Sequence, residues 1–235
     1  MKKKKSFFYN AFSGYFTQLL IWLLILFILR PFQRGTAYMT IWYLAFIAVF
    51  FSALFNCKHS KRVKIIATGL AIPAFVFHAL SFFYPPRFLV ACSITFTLLF
   101  VSFIALAILY TVILHATVTL ETLRGVICAY FMIGFAFAFA YYLVEFFIPG
   151  SIHFPGAPVY HDNFHHYISE VMYFSFVTLI GIGYGDIVAT HDAAQTLSVI
   201  EGTIGQFFIA ILVARLVAVY SLRGVTKILR EANPY

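Results

Sequence analysis

The most pointed chemistry in this sequence lies in three glycines at every second position, Gly181, Gly183 and Gly185, which alternate with Ile182 and Tyr184 and are closed by Asp186. Glycine adopts left-handed backbone conformations without steric penalty. A chain built this way can run extended with its carbonyls converging while the larger Ile182 and Tyr184 side chains pack outward. Converging carbonyls can replace the hydration shell of a cation, so the carbonyls of Gly181, Ile182, Gly183 and Tyr184 are the candidate ligands. A nucleotide-binding G-x-G-x-x-G is excluded on two counts. Asp186 stands where the last glycine belongs, and no strand-helix-strand context surrounds the run.

Further along, Glu201, Gln206 and Arg215 interrupt an otherwise apolar segment, where ionisable groups face protein or water and not lipid. Glu201 is expected to act as a hydrogen-bonded strut to the preceding segment through Ser175 or Thr178, the competing role being an ion ligand. Gln206 is expected to face a cavity. Arg215 is expected to snorkel to the cytoplasmic interface. His153, His161, His165 and His166 crowd a polar loop from Pro149 to Tyr167 and read as solvated surface, a pH or metal sensor being the alternative. The three cysteines, Cys57, Cys92 and Cys128, form no C-x-x-C pair and read as small core residues. No H-E-x-x-H spacing and no supported Ser/His/Asp set point to catalysis, so an enzyme is not expected.

The elements that must position these residues follow from composition. With 63% hydrophobic residues, 10% charged residues and a mean hydropathy of +0.93, the chain belongs in a bilayer. Apolar runs at about 10 to 29, 37 to 56, 65 to 83, 88 to 114, 125 to 148 and 195 to 221 are each long enough to span a core of roughly 30 Å as a helix. A shorter run at about 165 to 180, followed by the glycines, has the pattern of a re-entrant helix and loop. Lys2 to Lys5 ahead of an apolar run imitate a signal peptide, but Arg30-Pro31 replaces a cleavage site, so a retained helix is expected. Arg30-Pro31, Tyr84-Pro85-Pro86 and Pro149-Gly150 read as helix stops, and Pro73 as a kink. The net charge of +8 sits in short clusters between the runs, which orients helices and gives no reason to expect nucleic acid. Lys2 to Lys5, Lys58, Lys61, Arg62, Lys64, Arg124, Arg223, Lys227 and Arg230 fall on one side against Arg30, Arg34 and Arg87, which puts both termini in the cytoplasm of a multi-pass cell-membrane protein.

Tyr173-Phe-Ser-Phe-Val-Thr-Leu-Ile-Gly-Ile-Gly-Tyr-Gly-Asp186 resembles the pore helix and signature of potassium channels. From Thr117 to Leu222, including Glu201-Gly-Thr-Ile-Gly-Gln206 and Val213-Ala-Arg-Leu216, the chain resembles compact bacterial six-span potassium channel family proteins, and the first four spans match only in layout. The resemblance implies an all-α membrane protein with six transmembrane helices and a re-entrant pore helix and filter loop between the last two. The expected divisions are residues 1–119 as an N-terminal transmembrane region, 120–222 as the pore module and 223–235 as a short cytoplasmic tail. It implies a homotetramer in the lipid bilayer, K+ in the filter, no other cofactor and no soluble partner. Thr178, Gly185, Asp186 and Tyr173 become filter support, with Asp186 hydrogen-bonding toward the pore helix or standing as a solvated acid at the mouth. Glu170, Asp162 and Asp192 would add negative potential.

The departure from the family is Gly181, which stands where a threonine is usual and keeps the carbonyl but not the hydroxyl of the innermost site. A weaker, wetter site and a weakly selective Na+/K+ channel follow as the alternative, a non-conducting membrane subunit being another, and restoring threonine is expected to raise potassium selectivity. Gly205 takes the place of the family's inner-helix hinge, with Gly202 as competitor and close packing as the bland alternative. Phe88 to Leu114 contains no arginine. Each charge moved through the field contributes about 2.3 kcal/mol per 100 mV, so intrinsic voltage gating is not expected.

Overall fold

The computed structural model describes residues 14–29, 36–55, 61–83, 87–114, 119–155 and 164–232. Lys2 to Lys5, Arg30, Arg34, Cys57, Lys58, Tyr84 to Pro86, His161 and Asp162 lie outside them, as do the side chains of His165, His166, Leu216, Leu222, Arg223, Lys227 and Arg230.

The apolar runs are helices: α1 Tyr15–Ile28, α2 Thr36–Phe55, α3 Lys61–Phe83, α4 Arg87–Leu114, α5 Leu120–Phe147, α6 Phe164–Ile180 and α7 Asp192–Ala232, with the short strands β1 Ile152–His153 and β2 Val188–Ala189. Among the described residues, four helices are long and apolar enough to cross a membrane: Lys61–Leu80, Arg87–Ile113, Leu120–Phe147 and Asp192–Arg215. Phe16–Ile28 and Tyr167–Ile180 are shorter apolar helices. The last helix is longer than its apolar run, because nothing in the sequence after Leu222 breaks it before Ala232. α3 likewise continues through Pro73.

Polar side chains inside α4 are satisfied locally. Thr95, Thr97 and Thr111 donate to the carbonyls of Ala91, Ser93 and Ala107 at 2.7 to 2.8 Å, which removes unpaired hydroxyls from an apolar setting. α5 begins at Thr119, whose hydroxyl accepts from the Thr122 amide at 3.1 Å while the Thr122 hydroxyl accepts from the Thr119 amide at 3.4 Å, a reciprocal cap.

α5 is the hub, packed against α1, α4, α6 and α7. Cys128, Met132, Tyr141 and Tyr142 are among its buried side chains. Small residues let the neighbours approach: a Cβ on Gly134 would stand 2.7 Å from the Phe176 ring of α6. Phe27 of α1 and Phe131 and Phe135 of α5 surround that same ring at centroid distances of 4.8, 5.7 and 5.4 Å. Offset and edge contacts of this kind add about 0.5–1.5 kcal/mol each beyond area burial. The first helix thus braces α6 directly.

Candidate functional site

α6 ends in a defined C-cap. Gly181 has φ +79°, the Gly181 amide donates to the Thr178 carbonyl at 3.0 Å and the Ile182 amide to the Val177 carbonyl at 2.9 Å. These are the paired bonds of a Schellman motif, with glycine at the left-handed position. A helix end leaves four orphan carbonyls, and here the remaining two find side chains. Tyr130 Oη donates to the Leu179 carbonyl at 3.3 Å, and Gln206 Nε2 donates to the Ile180 carbonyl at 3.3 Å. One orphan is thereby bound by α5 and one by α7. Gln206 is exposed in the single chain and spends one amide hydrogen on the end of α6.

Beyond the cap the alternation is complete in the backbone. Gly181, Gly183 and Gly185 have φ of +79°, +60° and +77°, and no non-glycine described residue has positive φ. In a strand, successive carbonyls point to opposite sides; alternating the sign of φ turns them toward one side. Gly181 to Asp186 are all exposed in the single chain.

Behind α6, Glu201 is fully buried. Tyr141 Oη of α5 donates to Glu201 Oε2 at 2.7 Å, and Ser175 Oγ of α6 donates to Oε1 at 2.5 Å. Ser175 Oγ also lies 2.7 Å from the Gly134 carbonyl, and Tyr141 Oη 3.2 Å from Ser198 Oγ. The carboxyl therefore joins three helices at one point. Of the two hydroxyls expected for it, Ser175 is the partner; Thr178 donates to the Phe174 carbonyl at 2.8 Å. Gly205 is buried against α6, where a Cβ would overlap the Leu179 carbonyl oxygen, whereas a Cβ on Gly202 would stand 3.7 Å from the Thr178 carbonyl oxygen, an ordinary contact. At Gly205 the missing side chain lets α7 lie against the end of α6.

At the outer end, Tyr173 Oη donates to Asp186 Oδ2 at 2.7 Å and the Ile187 amide donates to Oδ1 at 3.0 Å. The Tyr173 hydrogen bond is the main reason that the Asp186 carboxyl sits below the usual carboxylate range, and the Ile187 amide adds to it. The Tyr173 and Tyr184 rings lie nearly parallel, 7° apart, with centroids 6.5 Å apart.

Glu145, near the end of α5, is a residue that sequence reasoning missed. Its Oε1 accepts from the Gly150 amide at 2.7 Å, and its Oε2 from Ser151 Oγ at 2.7 Å and the Ile152 amide at 3.0 Å. The turn it holds carries β1, which pairs antiparallel with β2 just after Asp186, Ile152 opposite Ala189 and His153 opposite Val188. Thr190 Oγ1 closes the junction on the Gly150 carbonyl at 2.6 Å. The available signal was an acid inside an apolar run, the feature that flagged Glu201. Tyr130 and Tyr141, also missed, carry no such signal among the 15 tyrosines of the chain.

The other candidates are dispersed. His153 is exposed on β1, Asp192 is exposed in the first turn of α7, and Glu170 is partly exposed on α6. Among the described residues no group of three or more His, Cys, Asp or Glu side chains is placed to hold a metal ion. Arg215 Nη2 approaches the Ile113 carbonyl at 3.5 Å, a cation at the negative end of α4.

Residues 129–221, which run from α5 through the glycine loop into α7, match a family model described as an ion channel. No curated protein and no solved structure matches the chain. The family match supports an ion channel, and the apolar helices support a membrane protein.

Proposed function

We propose that the chain is one subunit of a homotetrameric, potassium-selective pore in the cell membrane, conducting passively, without enzymatic activity and without intrinsic voltage gating. The observation that carries this reading is the alternating left-handed glycine backbone at Gly181, Gly183 and Gly185, leaving the tethered end of α6. In this reading the carbonyls of Gly181, Ile182, Gly183 and Tyr184 coordinate dehydrated K+ in place of water. α6 is the re-entrant pore helix, its C-terminal end directed at the cavity where the dipole favours a cation. Glu201 and Gly205 fix the pore helix against the cavity-lining α7, and Asp186 with Tyr173 holds the outer mouth. One chain supplies one loop, so a closed ring of carbonyls requires several copies. The same assembly accounts for the exposed Val199, Phe207 and Ile211 of α7.

A second reading, a weakly selective monovalent-cation pore, draws on Gly181, which gives the innermost site a carbonyl and no hydroxyl. Reversal potentials of the purified protein in planar bilayers under opposed potassium and sodium gradients decide between them. A value near the potassium equilibrium potential is expected. One near zero moves the assignment to the weakly selective pore, and no current from a well-folded tetramer refutes conduction.

A further inference from the structure

α2 and α3 leave a cavity of about 500 Å3 between them, lined by no residue of the glycine loop. Phe50, Phe51 and Leu54 line it from α2, and Lys64, Thr68, Ala71, Ile72, Phe75 and Val76 from α3. The α3 residues recur at helical spacing, so they form one stripe. Lys64 and Val76 are 12 positions apart, about 18 Å along a helix, close to the depth of one leaflet of a hydrocarbon core of roughly 30 Å. The stripe is charged at only one end. Lys61, Arg62 and Lys64 are exposed there, and below them Ile72, Phe75 and Val76 are 58%, 47% and 48% exposed into the groove. Neither α2 nor α3 contains an acidic residue.

We infer that this groove is a binding site for one anionic phospholipid, its phosphate held by Lys64 with Lys61 and Arg62 and an acyl chain laid along Thr68 to Val76. Length, apolarity and the cationic rim each match one part of that molecule. The lysine stem can follow the apolar wall and present its ammonium at headgroup height. The basic N-terminal segment of the chain is a poor occupant, because Lys2 to Lys5 would meet the same positive rim. The site is separate from the glycine loop, so its failure leaves the conduction reading untouched.

The test uses the purified full chain in nanodiscs of phosphatidylcholine with a minority of phosphatidylglycerol, counting the lipids retained by native mass spectrometry. Phosphatidylglycerol is expected to be retained in preference to phosphatidylcholine. Lys64→Gln should lower that preference about fivefold, the effect of one basic residue near an anionic surface. Ile72→Trp changes an exposed side chain, leaves every charge in place and fills the groove, so it should also lower retention. Equal retention of the two lipids overturns the proposal. Retention that falls in Lys64→Gln but not in Ile72→Trp also overturns it, since it reveals surface attraction without a groove. A disulfide between chains at Thr68→Cys would show a second copy in the groove and refute the lipid.

Discussion

Placing a side chain at Gly181 tests whether that glycine tunes an ion site or ends a helix. The position has φ +79°, and a Cβ there would stand 2.7 Å from Gln206 Nε2. A left-handed non-glycine residue costs about 1–2 kcal/mol, and β-branched threonine lies at the worse end. Gln206 must also withdraw from the Ile180 carbonyl, which forfeits about 1 kcal/mol of hydrogen bonding. Reduced freedom in the unfolded chain returns about 0.4–1 kcal/mol. Gly181→Ala should therefore destabilise each chain by about 2 kcal/mol, and Gly181→Thr by more. The measurement is heat-induced dissociation of the purified protein followed by size exclusion, with Gln206→Ala alone and combined with Gly181→Ala. If the two costs are separate, Gly181→Ala in the Gln206→Ala background retains only the backbone part, about 1 kcal/mol. The sequence alone led to the expectation that threonine here raises potassium selectivity. A Gly181→Thr protein that assembles as stably as the parent, with a reversal potential nearer the potassium value, would refute the helix-cap argument.

Gly205→Ala should abolish stable assembly, because its Cβ would overlap a backbone oxygen, while Gly202→Ala should behave like the parent; equal tolerance of both on size exclusion would remove the packing role of Gly205. Removing the Glu145 carboxyl with Glu145→Ala leaves three donors without their acceptor, a loss of about 3 kcal/mol, and hydrogen exchange at Gly150 and Ile152 should rise first; unchanged exchange there would refute the anchor. Asp186 has its folded-state carboxyl held low, so its tie to Tyr173 is intact above the ordinary carboxylate range and is lost as external pH falls through the lowered value. Tyr173→Phe removes the main cause, so its loss of current on acidification should begin at higher pH; an unchanged midpoint would show that Asp186 does not support the mouth.

The apolar runs and the Gly-Tyr-Gly-Asp stretch were legible because both signals are local. Span length is fixed by bilayer thickness, and a glycine advertises its backbone freedom whatever its neighbours do. The helices accordingly fall close to the sequence limits, apart from the starts of α3 and α5, which lie several residues earlier, and the end of α7, where helix propensity continues past the apolar run. The role of Gly181 was not legible. In sequence it is a missing threonine, and only its positive φ with the Val177 and Thr178 bonds makes it the residue that terminates α6. Likewise, a buried acid at Glu201 announced that it needed partners but not which. Ser175 and Thr178 lie on one side of a helix, less than a turn apart, and the rotation of α6 against α5 and α7 decided for Ser175. That rotation is set by the close approaches at Gly134 and Gly205 and by the ring of phenylalanines around Phe176, contacts between residues 26 to 149 positions apart. The sequence by itself determined which segments form apolar helices and where carbonyls can converge. The packing of α1, α5 and α7 around α6 decided how those carbonyls are held, because orientation about a helix axis is a property of the neighbours and not of the helix.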